Sequence, residues 1–287
     1  MKTSLSFLPQ IKQDQILHIV DIIKEVTNPE KIILFGSYAT NTWVEDKYFE
    51  DGILYEYISD FDFLIVSKAS DEKEFVLKDK IINRTRNLFK TPVNPIIHSL
   101  KYVNEGLEIG QYFFSDIIKE GILLWEINQI PFASSRELSQ DEKTQIAQGY
   151  FDQWFKNGNA LLNSAVFNIG QNELNLAAFE LHQTTECFYN TILLVFTGYK
   201  PKTHNLEILR QYSKHLSREM YLIFPFPTDD AMETHLFNLL KKGYIDARYK
   251  NDYKITKDEA LLLLDKISKM KLLVKEICID KIKSFLQ

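Results

Sequence analysis

The sequence predicts an α+β protein in two parts, a mixed sheet with flanking helices over residues 1–130 and an all-α bundle over residues 138–287. Three observations lead there. Short β-branched apolar runs alternate with helical patterns as far as residue 125, long helical periodicities take over after residue 138, and the stretch between carries Pro131, Ser134 and Ser135.

In chain order, Ile16, Ile19, Val20, Ile23 and Val26 share one face of a helix over residues 10–26. After Asn28-Pro29, the run Lys31-Ile32-Ile33-Leu34-Phe35 is short and β-branched and stops at Gly36-Ser37, which marks a buried strand. A second strand occupies 61–66, a helix 71–89, a third strand 93–98, a helix 101–119 and a fourth strand 122–125. In the second part, Ser139 and Glu142 have capping-box spacing for a helix reaching about residue 168. The next helix covers 172–197 and stops at Gly198 ahead of Pro201. Helices over 205–215 and 229–241 follow, and Thr256 with Glu259 caps a last one that runs to the end.

Charge and composition narrow the function. With 34 basic against 39 acidic side chains, a net −5, the chain has no overall field to draw duplex DNA, although a nucleotide or RNA ligand stays open. The two cysteines, Cys187 and Cys278, stand far apart without metal-ligand spacing, so they read as reduced core thiols. No apolar run approaches the ~18 residues of a membrane span, and the first residues lack a signal-peptide core, so the expected location is the cytoplasm and no membrane partner is expected.

The chemistry sits in Gly36-Ser37 and, after 22 intervening residues, Asp60-Phe61-Asp62. Alternation along a strand turns Asp60 and Asp62 to one side, where two carboxylates can share a hard cation such as Mg2+. A glycine at a strand end lets backbone approach closely, and Ser37 adds a hydroxyl and helix-start N–H groups for anionic oxygen. Each feature alone is more often a solvated strand entry or a turn. Together, ahead of an apolar run where unpaired charge is costly, they point to a metal and phosphate site.

This pairing resembles the signature of the nucleotidyltransferase superfamily of the DNA polymerase β type, in particular the minimal nucleotidyltransferases similar to kanamycin nucleotidyltransferase. The resemblance implies that Gly36 and Ser37 hold an NTP and that Asp60 and Asp62 are catalytic ligands of Mg2+ or Mn2+. It implies transfer of an NMP to a hydroxyl of a small molecule, a protein or RNA. Two departures stand out. Residues 38–59, with Trp43, Tyr48, Phe49, Tyr55 and Tyr57, form an insertion suited to a flap or a partner contact. The strand over 93–98, where the family has a third carboxylate, contains no Asp or Glu; Asn94, His98, Glu105 and Glu108 are the candidates to stand in. Loss of that acid raises a second reading, an NTP-binding regulatory protein with weakened transfer.

From residue 139 onward, Leu181-His182, His204-Asn205-Leu206 and Tyr244 to Tyr249 resemble the HEPN domain, a helical bundle that often pairs as a homodimer. Many such domains are ribonucleases using Arg-x(4–6)-His. The similar position here is Arg248 followed by Tyr253, and a phenol with a pKa near ~10 exchanges protons poorly at neutral pH. Arg248 is the candidate catalytic residue of this part. Arg210 and His215 fit the bare spacing but stand too early in the bundle, and read as a polar helix end. His182 reads as a hydrogen-bonded core residue, His204 as packing or capping the next helix, and Tyr150, Phe151, Trp154 and Phe155 as core. Lys241 and Lys242 read either as solvated or as phosphate contacts.

Overall fold

A computed structural model describes residues 1–50, 53–68, 72–127 and 129–286, with residues 46–50 and 53–57 described by backbone only. It is α+β, and it divides into two compact units, Met1–Glu137 and Leu138–Gln287.

In the first unit, helix α1 (Gln10–Thr27) ends where Asn28 adopts a left-handed conformation, and strand β1 (Pro29–Phe35) follows at once. A single helical turn, α2 (Ser37–Thr40), leads to strands β2 (Glu45–Glu50) and β3 (Ile53–Ile58), which pair antiparallel. Strand β4 (Phe61–Ser67), helix α3 (Glu74–Thr85), strand β5 (Val93–His98), helices α4 (Leu100–Glu108) and α5 (Tyr112–Glu120) and strand β6 (Ile122–Glu126) complete the unit. The main sheet has the order β5-β4-β1-β6. Strand β1 is antiparallel to both β4 and β6, while β4 and β5 run parallel and are joined through α3, as a parallel pair requires a crossover. The apolar face of α1, with Ile16, Ile19, Val20 and Ile23, packs on Ile32, Leu34, Phe61, Phe63 and Ile65 of the sheet.

Three expectations change. The insertion over 38–59 contains α2 and the β2–β3 ribbon; the side chains of Tyr48, Phe49, Tyr55 and Tyr57 lie outside the described residues, whereas Trp43 stacks on Tyr38 at 5.2 Å. The helix expected over 101–119 is two helices, because Gly110 takes a positive φ of 77° and breaks the run. The helix expected over 71–89 is the shorter α3; Asp71 lies outside the described residues, and Leu88 and Phe89 turn back onto the Thr85 carbonyl.

The second unit is helical. Helix α6 (Gln140–Gly170) starts at the Ser139 capping box, and α7 (Leu174–Thr197) ends at left-handed Gly198, whose N–H reaches the Leu194 carbonyl. Helices α8 (Leu206–Ser213), α9 (Arg218–Leu222), α10 (Ala231–Lys242) and α11 (Asp246–Tyr249) precede α12 (Lys257–Ser284), which starts at the Thr256 capping box. Helix α7 is buried on nearly all sides against α6, α8, α10, α11 and α12. Most of its polar residues are bonded internally, although the Tyr189 hydroxyl and the Asn190 amide are buried without a hydrogen-bond partner. The hydroxyls of Thr184, Thr185 and Thr191 donate to carbonyls one turn back, and Glu180 accepts from Ser164 at 2.6 Å and Asn168 at 2.8 Å on α6. Phe151 stacks on Phe155 at 4.7 Å, which in turn meets Phe188, so these aromatics pack as expected. Among the described residues no helix is long and apolar enough to cross a membrane.

Close contact of α6 with α7 depends on Gly158, where a Cβ would stand 2.6 Å from Phe188 and 3.2 Å from the Cys187 Cβ. Gly158→Ala is expected to cost a net ~1–2 kcal/mol, because overpacking exceeds the gain in helix propensity. Urea unfolding of the full chain measures this; an unchanged or higher midpoint contradicts the packing.

Candidate functional site

Because β1 and β4 are antiparallel, the end of one lies beside the start of the other, and Phe35 pairs with Asp62. This brings Gly36-Ser37 and the Asp60-x-Asp62 segment to the same end of the sheet. Gly36 has φ 72° and ψ −154°, a conformation nearly reserved for glycine, and a Cβ there would lie 2.6 Å from Asp62 Oδ2. Ser37 is partly exposed at the start of α2. The expected helix-start N–H cradle is reduced to one turn, too short for an appreciable dipole.

Asp60 is 8% exposed and immediately precedes β4, while Asp62 is its second residue. In the parallel β4–β5 pair Asp62 stands opposite Asn94, whose Nδ2 donates to Asp62 Oδ1 at 2.8 Å. An ionised carboxylate only accepts, so the amide must turn its NH2 group to it. Of the four candidates for the missing acid, Asn94 alone is in register with Asp62. His98 pairs with Val66 at the other end of β5, roughly 13 Å along the strand from Asn94, and stacks on Tyr102 at 4.3 Å. Glu105 and Glu108 are exposed on α4, where Glu105 lies 3.7 Å from Lys101.

Two lysines were not anticipated. Lys78 on α3 is in electrostatic contact with Asp62; burial pushes its ammonium down to about 8, against the charges of Asp79 and Asp62. Lys12 on α1 is 7% exposed, forms an ion pair with Glu45 and donates to Thr91 Oγ1 at 3.0 Å. Its ammonium lies 5.5 to 5.7 Å from the ring centres of Tyr38, Trp43 and Phe61; Tyr38 follows Ser37 in sequence and Phe61 lies between the two aspartates. It thus holds the back of the site together. Burial, opposed by Thr91 and reinforced by Glu45 and Asp60, pushes the Tyr38 phenol up to about 12, so Tyr38 is no proton carrier at neutral pH. Lys12 stands four residues before Ile16 on the buried face of α1, whereas Lys24, the other lysine of the helix, is half-exposed.

The donor set suits one hard cation whose remaining ligands would be phosphate oxygens and water: two carboxylates at one sheet end, with a backbone turn close beside them. Among the described residues there is no group of three acidic, His or Cys side chains placed to hold a metal alone.

In the helical unit the Arg248 guanidinium is exposed and lies over Phe179 at 4.4 Å and Tyr244 at 4.8 Å, with Nε donating to the Tyr244 carbonyl. Tyr253 is 7% exposed and its hydroxyl donates to the Leu239 carbonyl at 3.1 Å; burial raises its phenol above the ordinary value. It packs the bundle and offers no acid or base. Arg210 corrects the reading as a polar helix end: it is 2% exposed, lies 3.5 Å over Tyr221, and donates to the Tyr221 and Phe226 carbonyls, while His215 is exposed. His182 is buried with its two ring nitrogens 2.9 Å from the Leu240 carbonyl and 3.2 Å from that of His204. His204 does not cap α8, since Asn205 accepts from Glu207 and Ile208 there; its Nδ1–H donates to the buried Glu186 at 3.0 Å and its ring stacks on Tyr244 at 4.6 Å. Glu186 was missed, although it follows His182 by four residues on the same helix face. Lys241 is paired with Glu207 at 3.0 Å, and Lys242 is exposed.

The HEPN domain family matches residues 151–277, which lie within the helical unit. The match leaves the sheet unit outside it. No curated protein matches the chain.

Two predictions follow from the sheet unit. Gly36→Ala is expected to lose ~1–3 kcal/mol of stability from backbone strain, with further loss from displacement of Asp62. Unfolding within error of the wild type contradicts the close approach. For Lys78 the folded state releases its proton near 8 and the unfolded chain near 10.5, so the unfolded chain binds more protons between them and stability rises with pH in that window. Lys78→Met removes this rise. In metal-free buffer its stability relative to the wild type is therefore expected to be highest at pH 7 and to shrink by pH 10; a constant difference contradicts the buried ammonium.

Proposed function

We propose that the sheet unit is a magnesium-dependent nucleotidyltransferase that moves an NMP from an NTP to a hydroxyl acceptor, a small molecule, a protein or RNA. The observation that carries this reading is the Gly36–Asp62 contact, which sets bare glycine backbone directly against a carboxylate of the Asp60-x-Asp62 segment. Asp60 and Asp62 hold the cation. Mg2+, or Mn2+ in its place, would supply the positive charge that offsets the triphosphate and polarises the phosphoanhydride bond that breaks as pyrophosphate leaves. The backbone at Gly36 and the Ser37 hydroxyl orient phosphate oxygens, and Lys78 adds positive charge beside Asp62. Lys12 keeps Tyr38 and Phe61 packed, and so keeps the two motifs in fixed relation.

Asn94 favours a second reading, an NTP-binding regulatory protein with weakened transfer. An amide in the place of a carboxylate can neither take a proton from the attacking hydroxyl nor balance the charge of a second cation. Arg248 and its aromatic shelf remain available to RNA in the HEPN domain, but ribonuclease chemistry would need a proton carrier where Tyr253 is bonded into the core. Buried, unpaired thiols at Cys187 and Cys278, pushed up to about 11 and about 12 by burial, suit the reducing cytoplasm proposed for the protein. Pairing of two chains through the helical unit is proposed on the HEPN likeness alone.

Incubation with each labelled NTP, Mg2+ and a panel of hydroxyl acceptors tests both readings. Asp60→Asn and Asp62→Asn are each expected to weaken metal-dependent NTP binding at least 10-fold and to abolish any pyrophosphate release. Binding unchanged in both variants removes the site from the sheet unit. Tight binding by the wild type without release selects the regulatory reading.

A further inference from the structure

We propose that Asn94 sets the cation count of this site at one per bound nucleotide. The inference rests on the proposed metal–NTP site and specifies its composition.

The geometry starts from register. Asp62 and Asn94 are partners across the parallel β4–β5 pair, so their side chains leave the sheet on the same face. A second divalent ion in a two-metal site lies about 3.5–4 Å from the first and shares a carboxylate with it. For Asp62 to be that shared ligand, the second ion would have to approach on the β5 side, because Gly36 of β1's end closes against Oδ2. On the β5 side the place is taken by the Asn94 NH2 group, 2.8 Å from Oδ1. The amide presents hydrogens, the positive end of its dipole, toward the space a cation would fill. Charge points the same way. Asp60 and Asp62 offset one divalent ion, and among the described residues no third acidic, His or Cys side chain groups with them to hold a second. Rotation of the amide would bring its oxygen round, but at the cost of setting it against the ionised Asp62 oxygen.

One residue therefore separates a one-cation from a two-cation site. Asn94→Asp replaces the NH2 donor with an oxygen ligand of nearly the same shape. Asn94→Ala removes the donor and supplies no ligand, so it separates the effect of charge from that of vacated space.

Mn2+ titration of the full chain saturated with a non-hydrolysable NTP analogue, followed by electron paramagnetic resonance, counts the ions and reports whether two lie close enough to couple. The wild type is expected to bind one Mn2+ per bound nucleotide with an uncoupled spectrum, Asn94→Ala to do the same, and Asn94→Asp to bind two with a coupled spectrum. Two ions in the wild type overturn the inference, and this readout stands even if Asn94→Asp does not fold. Two ions in Asn94→Ala, or one in a folded Asn94→Asp, overturn it as well. If Asp62→Asn binds the Mn2+–analogue complex as tightly as the wild type does, the metal–NTP reading itself fails and takes the inference with it.

Discussion

The sheet unit is organised around the contact between the Gly36 backbone and the Asp62 carboxylate. Antiparallel pairing of β1 with β4 creates it, and the left-handed, nearly glycine-only conformation of residue 36 permits it. Apolar packing on both sides of the strands supplies the stability that lets a carboxylate sit so near the main chain. Ile32, Leu34, Phe63 and Ile65 anchor the two strands, while Lys12, ringed by Tyr38, Trp43 and Phe61, fixes the turn from behind. A buried ammonium is expensive unless bonded and paired, and Lys12 has both Thr91 and Glu45. Glu45 is the first residue of β2, so the inserted ribbon is tied at its base to the same cation that supports the two motifs.

The helical unit obeys a different constraint. Helix α7 is enclosed by five others, and each polar group it carries at the His182 end has a specific acceptor or donor. Glu186 lies between the two histidines and joins α7 to the segment before α8, while Tyr244 covers both imidazoles. Tyr253 and Arg210 are spent on main-chain carbonyls in the same way. Of the two arginines that sequence spacing offers for catalysis in this unit, Arg210 is buried, whereas Arg248 is exposed and rests on Phe179 and Tyr244.

Much of this was legible in the sequence because the signals are local. Both capping boxes, the glycine stop after α7 and the strands of the main sheet follow from short-range chemistry. The convergence of Gly36-Ser37 with Asp60 and Asp62 was inferred from their conjunction, yet only strand pairing shows the contact. The choice of Asn94 over His98 was out of reach for the same reason: a strand places residues on a face, but its register against a neighbour is a tertiary fact. The split of α4 from α5 at Gly110 escaped because glycine inside a helical pattern costs only about 1 kcal/mol and is often tolerated. Lys12, Lys78 and Arg210 escaped because sequence patterns place long cationic side chains at the surface by default, and these are held inside by partners far along the chain.

The proposed function requires a metal–triphosphate at the end of the sheet where β1 meets β4. The most direct measurement is anomalous diffraction at the manganese edge from crystals grown with Mn2+ and a non-hydrolysable NTP analogue. The account predicts an anomalous peak about 2–2.3 Å from oxygens of both Asp60 and Asp62, with triphosphate oxygens on the same ion and against the Gly36-Ser37 backbone. Triphosphate bound on the helical unit at Arg248, with no peak at Asp60 and Asp62, would contradict it.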